Sequence, residues 1–212
     1  MKQTDIPRAV LKRLPGYLNY LRSLPEEFGA YISATAIANA LGMGEVQVRK
    51  DLAMVSDGGR PKLGYLRVGL IEDINQFLGY DNATEAILIG AGKLGQALLG
   101  YSGFSAYGLN ILAAFDAKPS AKATEEGKPI FPMEQLESFC RNNKVLMGII
   151  TVPVECAQTV CEQLIQCGIK AIWNFAPTHL DVPPHILVQN ENMATSLALL
   201  SMHLQAQMKE KM

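Results

Sequence analysis

Apolar positions in the first 80 residues recur at helical spacing and are broken up by turn residues. Pro7 and Pro15 each suit a first helical turn, where a missing N–H costs nothing, and Leu18, Leu21 and Leu24 follow on one stripe. Ser33 is placed to cap a helix through Ile37, Ala40 and Leu41, which Gly42-Met43-Gly44 interrupts. A third helix is predicted from Glu45, burying Val48, Leu52 and Val55. Ser56-Asp57-Gly58-Gly59-Arg60-Pro61-Lys62 is polar and turn-rich, and predicts a hairpin flanked by short strand-like pieces. Leu70, Ile71, Ile74, Phe77 and Leu78 outline a further amphipathic helix that ends at Gly79, and Tyr80–Thr84 reads as a linker.

From Glu85 the pattern changes. The runs Ala86–Ile89, Ile111–Phe115, Val145–Thr151, Lys170–Trp173 and Ile186–Val188 are strand-like, and helical stretches lie between them. Strands that are apolar throughout and separated by helices predict an α/β domain with a parallel sheet covered on both faces. From Asn192 a last helix carries Leu197, Leu200 and Leu204 on one stripe, suited to packing against a partner subunit. The predicted organisation is thus 1–80, 81–191 and 192–212.

Composition narrows the function classes. Hydrophobic residues make up 49% of the 212, enough for a sizeable core. No apolar run approaches the roughly 20 residues that span a bilayer, and Met1–Asp5 is not followed by the apolar segment of a secretion signal. No membrane partner and a cytoplasmic location are expected. Cys140, Cys156, Cys161 and Cys167 form no C-x-x-C, and His179, His185 and His203 are scattered, so no metal site or catalytic triad is expected. Residues 1–80 carry ten Lys/Arg against eight Asp/Glu, and the remainder nine against twelve. This asymmetry is compatible with a nucleic-acid-binding front half without establishing one.

The strongest chemical signal is Gly90-Ala91-Gly92-Lys93-Leu94-Gly95, directly after a strand and opening a helix. Gly90 permits the tight turn, Gly92 lets the backbone approach a pyrophosphate, and Gly95 lets the helix pack on the strand. Asp116 ends the next predicted strand, about 20 residues on, where a ribose-binding carboxylate belongs. A carboxylate there favours NAD over NADP, a preference that Lys118 weakens slightly. The same turn also serves to pack a strand on a helix, or to hold a related nucleotide such as coenzyme A.

Upstream, the helices of Thr35–Leu41 and Glu45–Val55 form a helix–turn–helix. Val46, Lys50 and Ala53 are expected to face outward, with Gln47 and Arg49 beside them. Gln47 suits a base edge and Arg49 and Lys50 suit phosphates, while Arg60 and Lys62 would sit on a wing. The same cations also fit a merely solvated helix face.

Val48-Arg49-Lys50-Asp51-Leu52, joined to the Gly90 motif, resembles the Rex family of bacterial redox-sensing transcriptional repressors. Arg13–Leu18, Tyr101-Ser102-Gly103-Phe104, Thr151-Val152-Pro153 and Asn174-Phe175-Ala176-Pro177 match it as well, in the right order over nearly the whole length. The resemblance implies a winged-helix domain, a Rossmann-like doubly wound sheet, and a homodimer that swaps its carboxy-terminal helix. It also implies release from double-stranded operator DNA when NADH binds, with NADH/NAD⁺ an allosteric effector and not a reactant. Carried over, Gly90, Gly92, Gly95 and Asp116 hold the dinucleotide. Thr151, Val152 and Pro153 line the nicotinamide side, Asn174 is a further cofactor-binding position, and Tyr101 and Phe175 enclose the ring or respond to its oxidation state. Arg49 and Lys50 belong to the recognition helix.

Two positions depart from the family pattern: Pro61 stands where the wing usually has arginine, and Asn19 where the first helix often has one. Of the rival readings, an NAD-dependent dehydrogenase requires a proton-transfer group near the nicotinamide, for which His179 is the candidate. A nucleotide-binding adaptor without DNA binding would use the helix pair on protein. The chain is expected not to be an enzyme.

Overall fold

The computed structural model describes residues 7–210. Met1–Asp5, considered above for a leader, and Lys211 and Met212, at the end of the predicted last helix, lie outside them. The chain divides into two compact units, Met1–Asn82 and Ala83–Met212.

In the first unit, α1 (Arg8–Ser23) buries Val10, Leu14, Tyr17, Leu18 and Leu21. Pro15 lies inside this helix, not at the start of one. The lost backbone bond and the ring clash cost about 3 kcal/mol. Complete burial of Leu14, Tyr17 and Leu18 on either side outweighs that cost. Strand β1 (Tyr31–Ile32) precedes α2 (Ala34–Leu41), whose start is capped by the Ser33 hydroxyl accepting from the Ala36 N–H at 3.1 Å. Gly42, at φ 62°, ends α2, and α3 (Glu45–Val55) follows.

The expected hairpin does not have two strands flanking its tip. Its outgoing strand β2 (Tyr65–Leu66) pairs antiparallel with β1, which precedes the helix pair. The incoming side from Ser56 runs as irregular chain into a turn closed between Arg60 and Gly64. A Cβ on Gly64 would lie 2.2 Å from the Ile32 carbonyl oxygen, so glycine is required at this close crossing. Helix α4 (Arg67–Leu78) closes the unit and ends at Gly79 in the left-handed region.

The second unit is built on six strands, β3 (Thr84–Ile89), β4 (Leu109–Asp116), β5 (Ile130–Pro132), β6 (Met147–Ile150), β7 (Ala171–Asn174) and β8 (Leu187–Asn190). They form one parallel sheet in the order β5-β4-β3-β6-β7-β8. Numbered from its own first strand the order is 3-2-1-4-5-6, the doubly wound Rossmann arrangement. On one face Ile87, Ile89, Phe115, Ile150 and Ile172 pack against α6 (Leu136–Asn143) and α7 (Val154–Gln166). On the other, Ala86, Leu88, Ile111, Ala114 and Ile149 pack with Leu99 of α5 (Lys93–Gly100). The edge strand β5, three residues ending in proline, carries no alternation from which the sequence could predict it. Helix α8 (Met193–Glu210) leaves Leu197, Leu200 and Leu204 more than half exposed in the single chain.

Candidate dinucleotide and nucleic-acid sites

Strand order reverses between β3 and β6, and the residues after these two strands meet there. Gly90, at φ 101°, turns the chain out of β3. A Cβ on it would lie 2.9 Å from Val152 Cγ1, so the turn is seated on the Thr151–Val152 loop. The Thr151 hydroxyl stands close to both the Ile89 and Gly90 carbonyl oxygens, at 3.0 and 2.8 Å. A Cβ on Gly95 would fall 1.9 Å from the Gly90 carbonyl oxygen, so α5 lies as close to the turn as backbone allows. Gly92 is different. It caps α5, is exposed, and has no atom beyond its own chain neighbours within 4 Å of its Cβ position. The open space lies at the helix amino terminus, where backbone N–H groups and the helix dipole attract an anion.

The Asp116 carboxylate is tied into this turn. One oxygen accepts the Ala91 N–H and the other the Lys118 N–H, both at 2.8 Å. Gln96, which the sequence reading did not single out, braces the same turn by donating to the Ala91 carbonyl at 2.8 Å. Lys93 and Leu94 open α5 and are exposed.

Phe175 is brought alongside by its N–H, which donates to the Ile150 carbonyl at 2.9 Å. Its ring lies 4.9 Å from that of Trp173, which is 5.6 Å from Phe104, in turn 4.9 Å from Tyr101. Tyr101, at the end of α5 and more than half exposed, is thus linked to Phe175 through two aromatic residues. Asn174 is fully buried. Its amide donates to Ala176 O, Thr178 O and Asn190 Oδ1 and accepts from the Ala176 N–H, so its contacts hold the 175–178 loop. Pro153 is exposed and precedes the first residue of α7. His179 is exposed.

No group of metal-ligating side chains occurs among the described residues, and none of their helices is long and apolar enough to cross a membrane. The four cysteines are free thiols. Burial pushes the Cys140 thiol up to about 12 and raises those of Cys161 and Cys167.

On α3, Val48 and Leu52 are buried, with Val55 at the margin of the core. Val46, Gln47, Arg49, Lys50 and Ala53 are exposed. The remaining inward residue, Asp51, is a charged side chain that the apolar pattern did not flag. It accepts from Arg13 Nε at 2.7 Å, Arg13 Nη2 at 2.9 Å and the Tyr17 hydroxyl at 2.7 Å. These bonds raise the Arg13 pKa, while burial, followed by the bond to Asp51, pushes the Tyr17 phenol up to about 12. The acid at the fourth position after Gln47 on a cationic helix was the available signal. Gln47 itself, with its amide oxygen turned toward the guanidinium, accepts from Arg13 Nη1 and Nε at 2.9 Å. Arg49 pairs with Glu45 one turn back. In the wing, Pro61 and Lys62 occupy the centre of the turn, and Lys62 takes φ 66°. Arg60 donates to the Tyr31 hydroxyl at 3.4 Å.

Comparison with known proteins places this architecture. A family described as "CoA binding domain" matches residues 81–178, and one described as "Putative DNA-binding protein N-terminus" matches residues 5–53. A redox-sensing transcriptional repressor Rex from Porphyromonas gingivalis is 39% identical over 198 residues, covering 93% of this chain and 91% of its own. That from Treponema denticola is 40% identical over 202 residues, covering 94% and 96%. Among solved structures, RSP in complex with β-NAD⁺ and operator DNA matches with a TM-score of 0.87 and 33% identity, over 97% of this chain and 95% of that one. RSP in complex with β-NADH matches with a TM-score of 0.83 and 32% identity over 98% of each chain. With relatives this similar along nearly all of its length, the chain belongs to the Rex family of redox-sensing transcriptional repressors.

Proposed function

We propose that this chain is a homodimeric repressor that binds double-stranded operator DNA in the cytoplasm and leaves it when NADH binds. The observation that carries the proposal is the joining, in one chain, of a cationic helix-and-wing surface to a glycine turn at the switch point of a Rossmann sheet. Residues 1–80 form the DNA-binding domain, 81–191 the NAD(H) domain and 192–212 the dimerisation helix. The RSP structures, one with NAD⁺ and operator DNA and another with NADH, support the same pair of ligands here.

In this reading the pyrophosphate lies over Gly90, Ala91, Gly92, Lys93, Leu94 and Gly95, and Asp116 receives the adenosine ribose. Thr151, Val152, Pro153 and Phe175 line the nicotinamide side, Asn174 holds the Phe175 loop, and Tyr101 joins the same aromatic cluster. Gln47, Arg49 and Lys50 enter the major groove, and Arg60 and Lys62 contact the neighbouring backbone. For Arg49 this means exchanging Glu45 for a phosphate.

Reduced and oxidised nicotinamide differ by one positive charge. Closure of apolar and aromatic groups around the ring favours the neutral form, because burying an unpaired charge is costly. Closure then changes the separation of the two recognition helices of the dimer, and half-sites at fixed spacing no longer fit both. The dinucleotide acts as an effector and is not consumed. A mobility-shift titration on a palindromic operator tests the proposal. NADH should release the protein at far lower concentration than NAD⁺, and equal action of the two forms would refute it.

A further inference from the structure

The strand that leads to Phe175 also holds the root of α8. The Trp173 indole N–H donates to Glu191 Oε1 at 2.9 Å. The Glu191 N–H donates to the Asn174 carbonyl at 2.8 Å, and the Asn174 amide donates to Asn190 Oδ1 at 2.8 Å. The next residue, Asn192, accepts the Thr195 N–H at 3.1 Å and so caps the first turn of α8. On its other side the Trp173 ring lies against Phe175. One rigid side chain therefore touches the proposed nicotinamide-side aromatic and bonds to the residue before the cap of the proposed dimerisation helix.

We propose that Trp173 and Glu191 are the positioning pair that passes the state of the Phe175 loop to α8, so that nicotinamide binding changes the setting of that helix. The inference rests on the reading above, that the ring lies beside Phe175 and that α8 joins the subunits. Packed aromatic contacts shift between discrete arrangements and do not deform smoothly, so displacement of Phe175 displaces the indole. The indole has one polar atom, a donor, and its acceptor is a carboxylate. Such charge-assisted bonds are short and directional, so Glu191 follows the indole. The Asn174 amide ties the 175–178 loop to Asn190, and the indole–carboxylate contact links the aromatic cluster itself to the helix root.

If Trp173 merely fills the core, phenylalanine in its place preserves the response, because it keeps a ring and loses only the N–H. The test uses the full-length protein with three variants: Trp173→Phe, Glu191→Ala and Glu191→Gln. NADH affinity is measured by direct titration, and operator affinity is measured with and without saturating NADH. Trp173→Phe and Glu191→Ala should each bind NADH and bare operator within about threefold of the parent, while the NADH-induced loss of DNA affinity shrinks about tenfold. Glu191→Gln keeps an acceptor oxygen and should retain most of the response. Parent-like responses in both Trp173→Phe and Glu191→Ala overturn the inference while leaving the proposed function standing. Absence of any NADH response in the parent protein overturns both. Should Trp173→Phe fold poorly, Glu191→Ala decides alone, since that side chain is only half-buried.

Discussion

Asp51 on α3 accepts two guanidinium N–H groups from Arg13 on α1, at 2.7 and 2.9 Å, while itself almost wholly buried. The helix proposed to meet DNA is therefore fixed by a charged pair on its inner face, with the Tyr17 hydroxyl as a third donor. Removing one partner of such a pair leaves the other desolvated and unpaired. Asp51→Ala should destabilise the amino-terminal unit by about 3 kcal/mol in urea unfolding and weaken operator binding through disorder of α3. Parent-like stability would show that solvent screens the pair almost completely.

The Tyr17 phenol should make this unit sensitive to alkali. Its pKa is raised from 10.0 to about 12 in the folded protein, so between these values the unfolded chain ionises first. Stability is then fully present below about pH 10 and falls as the pH rises toward 12. Tyr17→Phe should flatten that part of the stability–pH curve. An unchanged slope would assign the alkaline loss to other groups.

Gly92 and Gly95 should separate ligand binding from folding. A methyl group at position 95 would strike the Gly90 carbonyl, whereas at position 92 it meets no protein atom, and φ −71° there suits alanine. Gly95→Ala should lower the melting temperature and NADH affinity together. Gly92→Ala should leave melting unchanged and weaken NADH by about tenfold or more, because the methyl occupies the phosphate's approach. Undiminished NADH binding in Gly92→Ala would place the pyrophosphate elsewhere.

Lys62 carries a left-handed backbone at the tip of the wing. Lys62→Gly should relieve that strain and raise stability by up to about 1 kcal/mol. It should also remove a cation from the proposed DNA-facing surface and reduce the salt dependence of operator binding by about one unit of slope. The two effects have opposite signs, so calorimetry and salt titration on one variant separate them. An unchanged slope would remove Lys62 from the DNA contact.

Elements with a local signal were legible in the sequence. Ser33, Gly42 and Gly79 mark helix ends through their own hydrogen bonding or φ, and Gly90–Gly95 declares its turn through the absence of side chains. What escaped depended on distant partners. Strand β1 exists because Tyr65–Leu66 pairs with it across the helix pair, and Pro15 is tolerated because neighbours on the same helix are buried. Asp51 interrupts an apolar face in a way that its donors Arg13 and Tyr17, 38 and 34 positions earlier, explain. Of the candidate site, glycine spacing and the acid were readable from residue type. The buried role of Asn174 and the bracing by Gln96 arise only once the loop and the turn are folded, because neither residue type declares its partners.

Trp173 is the chain's only tryptophan. Its emission overlaps the absorption of reduced nicotinamide but not that of the oxidised ring, and it lies one aromatic contact from the proposed ring position. Ultraviolet excitation of the protein should therefore make bound NADH glow at the expense of the indole, while bound NAD⁺ should not. The repressor would carry its own optical readout of the redox couple, needing no label.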